Sequence, residues 1–123
     1  MSDSSGLAGS QHGLTVRWSL RDAPAGVDDD LASYVEGSSH ERFTGQAGLR
    51  FKTWRMHRGL WFEGCYVFET PSDRAAFEAK FLEGAADSPV SQIIGDGPEL
   101  VEPCEVVAVA EGAAGFLAAP TYR

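Results

Sequence analysis

Residues 48–70, GLRFKTWRMHRGLWFEGCYVFET, leave the chain little freedom in how it can fold, because Arg58-Gly59 is the only break in a long strand-forming run. The run reads as one β-hairpin. A two-residue turn with Gly second suits the tight turns that join twisted strands, since Gly tolerates positive φ. A turn at this point pairs His57 with Leu60, Arg55 with Phe62, Thr53 with Gly64, Phe51 with Tyr66 and Leu49 with Phe68 on one face. The other face then carries Met56 with Trp61, Trp54 with Glu63, Lys52 with Cys65 and Arg50 with Val67. Both faces hold large apolar groups, so both need covering, and in a chain of 123 residues a second subunit can supply one cover. A one-residue slip of the turn is expected to exchange pairs but to keep most of this sorting, because each strand retains its own alternation.

The flanking sequence supplies the other elements. Leu14, Val16, Trp18 and Leu20 alternate with Thr15, Arg17 and Ser19, which predicts a first strand over 14–20. After a loop containing Pro24 and Gly26, Asp28-Asp29-Asp30 opens a helix, because carboxylates in a first turn accept from free N–H groups and oppose the helix dipole. Consecutive helical residues point in different directions, so the three Asp mark a helix start rather than a metal site. Leu31, Tyr34 and Val35 form its core stripe, which runs to about His40. A second helix starts at Thr70-Pro71-Ser72-Asp73, with Thr70 as cap and Pro71 at the first helical position. Phe77 and Phe81 share its core face, and Gly84 ends it. A long connection follows, with a helical turn at 90–94, before a last strand over 100–110 in which Pro103 marks an edge or a bulge. Residues 1–13 and 111–123 read as flexible tails, leaving a single domain over 14–110.

Strand, helix, strand, strand, helix, strand is the βαββαβ order of a ferredoxin-like α+β domain, with a four-stranded antiparallel sheet and both helices on one face. The opposite sheet face is expected to be an interface. Trp54, Met56 and Trp61 therefore predict a homodimer formed sheet against sheet, a dimeric α/β barrel. Lys52 and Glu63 are expected to be partly buried there, paired with each other or across the dimer.

Composition narrows the function classes. A formal net charge of -8 and a pI near 4.7 argue against nucleic acid and anionic membrane surfaces as partners. No apolar run approaches the length of a membrane span and no signal peptide is evident, so a cytoplasmic protein is expected. Cys65 and Cys104 read as reduced thiols filling core space. His12, His40 and His57 are scattered without metal-ligand spacing, and no phosphate loop or nucleophile elbow is present.

GLRFKTW followed by EGCYVFETPSDRAAFEA resembles the YdhR-type monooxygenase-like proteins of the dimeric α/β-barrel superfamily, in which a Gly and a Lys-x-Trp precede a Gly-x-Tyr-x-Phe strand running into a helix. The resemblance implies a dimer with a ligand cavity in each subunit between sheet and helices. It also implies chemistry of the kinds found in that superfamily: cofactor-free oxygenation of polycyclic phenols, haem degradation and non-redox isomerisation. Two features depart from its better-characterised oxygenases, which have a Trp entering the second helix where this chain has Phe68 and use an Asn, a residue type this sequence lacks.

With the cavity so placed, the first hairpin face lines it. Phe51, Phe62, Tyr66 and Phe68, with Trp18 and Tyr34, make an aromatic box for a flat, hydrophobic or aromatic ligand. His57 is the candidate general base, since an imidazole titrates near neutral pH. It would deprotonate a phenol or enol whose electron-rich anion reduces dioxygen, with Arg55 holding the anion and Tyr66 donating to it. The expected function is thus a cofactor-independent, monooxygenase-like enzyme acting on a small aromatic or polyketide-like molecule, with no metal or flavin. The alternatives are a cyclase or isomerase in the same cavity, and a ligand-binding or structural dimer without catalysis.

Overall fold

The computed structural model describes residues 10–122. Its elements are β1 (Gly13–Ser19), α1 (Val27–Tyr34), a π-helical segment (Val35–Ser39), α2 (His40–Phe43), β2 (Leu49–His57), β3 (Trp61–Phe68), α3 (Pro71–Glu83), a 3-10 turn (Ala85–Asp87), α4 (Pro89–Ile94) and β4 (Leu100–Cys104). The strands form one antiparallel sheet in the order β2-β3-β1-β4. This is an α+β arrangement compatible with the ferredoxin-like order expected from the sequence.

Local chemistry explains the helix ends. Thr70 Oγ1 accepts from the Asp73 N–H at 3.0 Å, and Pro71 occupies the first turn of α3, where its missing N–H costs nothing. No side chain caps α1; its acidic start instead clasps the hairpin, with Asp29 accepting from Arg58 at 3.0 Å and Asp28 facing the Gly59 N–H at 3.4 Å. Helix continues beyond the expected end near His40 to Phe43, which is buried. The last strand stops at Cys104 rather than reaching Ala110, and residues 105–122 carry no helix or strand. At the other end, part of the expected tail belongs to the fold: His12 O accepts from the Phe68 N–H at 2.9 Å, and β1 begins at Gly13. Residues 1–9 lie outside the described residues.

The core lies between sheet and helices. Leu14, Val16 and Trp18 of β1, Phe62, Tyr66 and Phe68 of β3, Leu31 of α1, Phe43 of α2 and Ile94 of α4 are all buried. Fully burying side chains of this size is worth roughly 1.5–3 kcal/mol each, which makes this layer the main source of stability.

The hairpin is shifted by one residue from the expected pairing. Three residues, Arg58, Gly59 and Leu60, separate the paired His57 and Trp61, and Gly59 sits at φ 79°. Two contacts hold this loop: the Leu60 N–H donates to His57 O at 2.9 Å, and Leu60 O accepts from the Leu20 N–H at 2.9 Å. Met56 therefore faces Phe62, Trp54 faces Gly64 and Lys52 faces Tyr66, while a bulge at Arg50 restores the expected pair Leu49 with Phe68. Each strand keeps its alternation, but the slip changes which residues of β2 share a face with which residues of β3. The expected sorting of the faces is thus overturned, not preserved. Trp54 and Met56 pack towards the core under the helices, and of the three residues expected on the open face only Trp61 lies there.

Candidate functional site

Between sheet and helices lies a cavity of about 450 Å3. Its sheet side is Trp18 of β1, Lys52 and Trp54 of β2, and Phe62, Gly64 and Tyr66 of β3. Its helix side comes from Tyr34, Ser39, Arg42 and Phe43 of the first helical run, Phe77, Lys80 and Phe81 of α3, and Ser88 to Val90 at the start of α4.

The indole N–H groups of the wall are already engaged. Trp54 donates to Ser39 Oγ at 3.1 Å and Trp18 to Ser91 Oγ at 3.0 Å, which in turn donates to Ala85 O at 2.7 Å. The wider turn of the π-helical segment delivers Ser39 to Trp54, and such segments recur at functional sites. The aromatic wall is further locked edge to face, with Phe43 5.7 Å from Tyr66 and Trp18 6.2 Å from Phe81.

Lys52 and Tyr66 are different. The Lys52 ammonium lies over three ring faces, 3.6 Å from the Phe43 centroid, 4.4 Å from Tyr66 and 4.5 Å from Trp54. Among the described residues it has neither a carboxylate within ion-pair distance nor a hydrogen-bond partner, and the buried Tyr66 hydroxyl likewise has no hydrogen-bond partner. Burial holds the Lys52 amine well below its ordinary value, and the Arg42 charge adds to that; the Cys65 thiol acts weakly the other way. Burial also pushes the Tyr66 phenol above its ordinary value, so it stays a neutral donor. Both groups meet over Gly64, where an added Cβ would lie 3.1 Å from Lys52 Cε and 3.3 Å from Tyr66 Oη. A side chain at this position would press both groups aside by a few tenths of an ångström, so Gly64 keeps their shared space open.

Of the residues singled out from the sequence, Trp18, Tyr34, Phe62 and Tyr66 line this cavity. Phe68 is buried behind it, stacked on Tyr66 at 5.9 Å, and packs rather than lines. Phe51, Arg55 and His57 lie on the opposite face of the sheet, away from the cavity, because of the one-residue shift. Phe51 meets Phe116 of the C-terminal segment at 5.9 Å, and His57 is exposed beside Trp61. Their assignment to the aromatic box, and with it the expected base and anion holder, does not fit this arrangement. Phe43, Trp54, Phe77, Phe81 and Lys52 take the vacated places. Lys52 was legible in the sequence as a partly buried lysine two residues from Trp54 on the same strand face, but on the dimer side of the sheet rather than in the cavity.

The expected pairing of Lys52 with Glu63 also fails, since the two sit on opposite sheet faces. Glu63 is fully buried on the open side and accepts from Arg17 Nε at 2.9 Å, Arg55 Nε at 2.6 Å and Cys65 Sγ at 3.2 Å. Burial raises its carboxyl, but the hydrogen bonds from Arg17, Cys65 and Arg55 together outweigh this and hold it below the ordinary value. Neither thiol fills the core: Cys65 is half-buried on the open face, pushed up by burial and by Glu63, and Cys104 is exposed. No group of three or more His, Cys, Asp or Glu among the described residues is placed to hold a metal ion, and none of their helices is long and apolar enough to cross a membrane. Comparison with protein-family models and with curated proteins found no match.

Proposed function

We propose that the cavity binds a flat aromatic or polyketide-like molecule and removes a proton from its phenol or enol, with Lys52 as the base. One observation carries this: an amine held below its ordinary value, with no protein partner for its proton, opens beside a neutral phenol donor in an aromatic cavity. In its uncharged form, which burial favours, the amine takes the proton from the ligand hydroxyl. The resulting ammonium and oxyanion then form a pair inside the cavity, the ammonium over the ring faces and the oxyanion accepting from Tyr66. Proton, charge and hydrogen bond are all accounted for within the site.

The oxygenase course follows from the electron-rich anion, which reduces dioxygen without flavin or metal. A ligand methylene becomes a carbonyl, one oxygen atom enters it and the other leaves as water with the two hydrogens. Cofactor-free oxygenation of phenols is one of the kinds of chemistry that the resemblance to the YdhR-type proteins implies, here with Lys52 rather than His57 as the base. Cyclisation or isomerisation from the same anion is the second reading, and it leaves the product mass unchanged. Oxygen consumption by metal-free protein with hydroxylated anthrones and naphthols tests the proposal. Turnover is expected to fall at least a hundredfold in Lys52→Met, the range removed with a general base, and to survive in His57→Ala. Turnover that persists in Lys52→Met, or that requires added flavin, overturns it; binding without turnover in the unaltered protein leaves only a ligand-binding protein.

We further propose that the open sheet face forms a homodimer. Its support is now Trp61 together with the exposed Leu100, paired with Arg17, and the exposed Phe116, which lies against Phe51 on that face, rather than Trp54 and Met56. Light scattering is expected to give twice the chain mass at micromolar concentration, and a monomer there removes the proposal.

A further inference from the structure

We infer that the ligand of this cavity carries a second, acidic group, a carboxylate held at the mouth by Arg42 and Lys80. The inference rests on the aromatic site proposed above and names its substrate class: hydroxylated aromatic or enolic carboxylic acids.

The sorting of charge runs against the composition. Asp and Glu outnumber Lys and Arg by 18 to 10 in the chain, yet the cavity lining contains Arg42, Lys52 and Lys80 and no Asp or Glu. Among the described residues the ion pairs engage Arg17, Arg55, Arg58 and Arg74, and leave these three basic side chains without a carboxylate. Cations gathered around a low-dielectric cavity repel one another, and the Arg42 charge accordingly favours the uncharged form of the Lys52 amine. A ligand anion relieves that repulsion.

The cations sit at two depths. Lys52 lies among the rings, whereas Arg42 on α2 and Lys80 on α3 are exposed. An exposed cation pairs with a carboxylate that stays hydrated, while a half-buried amine among aromatic rings is suited to a neutral hydroxyl that it deprotonates. The ligand is thereby oriented, with its acid outward and its phenol or enol inward. A carboxylate suits the mouth better than a phosphate, because the start of α4 offers at most the single N–H of Val90 rather than a cradle of them. Pro89 has no N–H, and the Ser91 N–H is taken by Ser88 Oγ at 3.3 Å.

Quenching of tryptophan fluorescence in the full chain, titrated with a hydroxynaphthoic acid, its methyl ester and the parent naphthol, tests this. At low salt the acid is expected to bind about threefold to tenfold more tightly than the ester, an advantage that shrinks as salt screens the mouth. Arg42→Gln with Lys80→Gln is expected to reduce the acid to the affinity of the ester in that same variant. Equal binding of acid and ester by the unaltered protein overturns the carboxylate assignment while leaving the aromatic site standing. A preference for the acid that survives in the double variant overturns the roles of Arg42 and Lys80. If none of the three compounds binds, the aromatic site itself falls, and this inference with it.

Discussion

Two charged side chains of the same hairpin, Lys52 and Glu63, occupy opposite faces of one sheet and are treated in opposite ways. Glu63 is enclosed by two arginines and a thiol, so its charge is matched on the spot and serves to bind β1, β2 and β3 together across the open face. Lys52 is enclosed by aromatic faces that offset only part of its burial and give its protons no acceptor. A buried charge that is fully paired is a structural device, whereas an ionisable group left unpaired beside a cavity costs stability, and such groups are candidates for a functional role.

Stability measurements can break that contrast. The largest effect is expected for Glu63→Ala, a loss of about 3 kcal/mol by chemical denaturation, at the low end for a broken buried pair because the side chains of Arg17 and Arg55 are 32% and 57% exposed and can rehydrate. The same carboxylate gives a signature in pH. Its folded value lies below the ordinary 4.5, so its contribution is present above that value and is lost as pH falls through the folded value. Glu63→Gln is expected to flatten this acid-side slope, and an unchanged slope would show that other carboxylates produce it.

A smaller effect of opposite sign is expected at the other face. Lys52→Met removes a desolvated amine and keeps its length, so stability is expected to rise by up to about 1 kcal/mol. The folded amine sits below its ordinary 10.5, so the unfolded chain binds more protons between the two values and stability rises with pH across that window. That alkaline rise is expected to vanish in Lys52→Met. A loss of more than about 1 kcal/mol in this variant would mean that the rings hold the ammonium as a structural element, and the contrast between the faces would collapse.

Much of the architecture was legible in the chain itself. Periodicity in 14–20, the Thr70-Pro71 helix start and the single break at Arg58-Gly59 gave the number, kind and order of the main elements, because alternation and capping are properties of residues a few positions apart. Trp18, Tyr34, Phe62 and Tyr66 were legible as cavity residues for the same reason: each lies on an element whose inner face was correctly read.

The place of Lys52 in the cavity was not legible, because it depended on one residue of register in the hairpin. The turn sequence allowed a two-residue or a three-residue loop, and contacts distant in sequence selected between them: Leu60 with Leu20, and Gly59 and Arg58 with the acidic start of α1. That choice moved His57, Arg55 and Phe51 out of the cavity and Lys52 into it. Local sequence determined which residues alternate along each strand, and only tertiary structure decided which strand faces met, because side-chain period is a local property and cross-strand register is a long-range one.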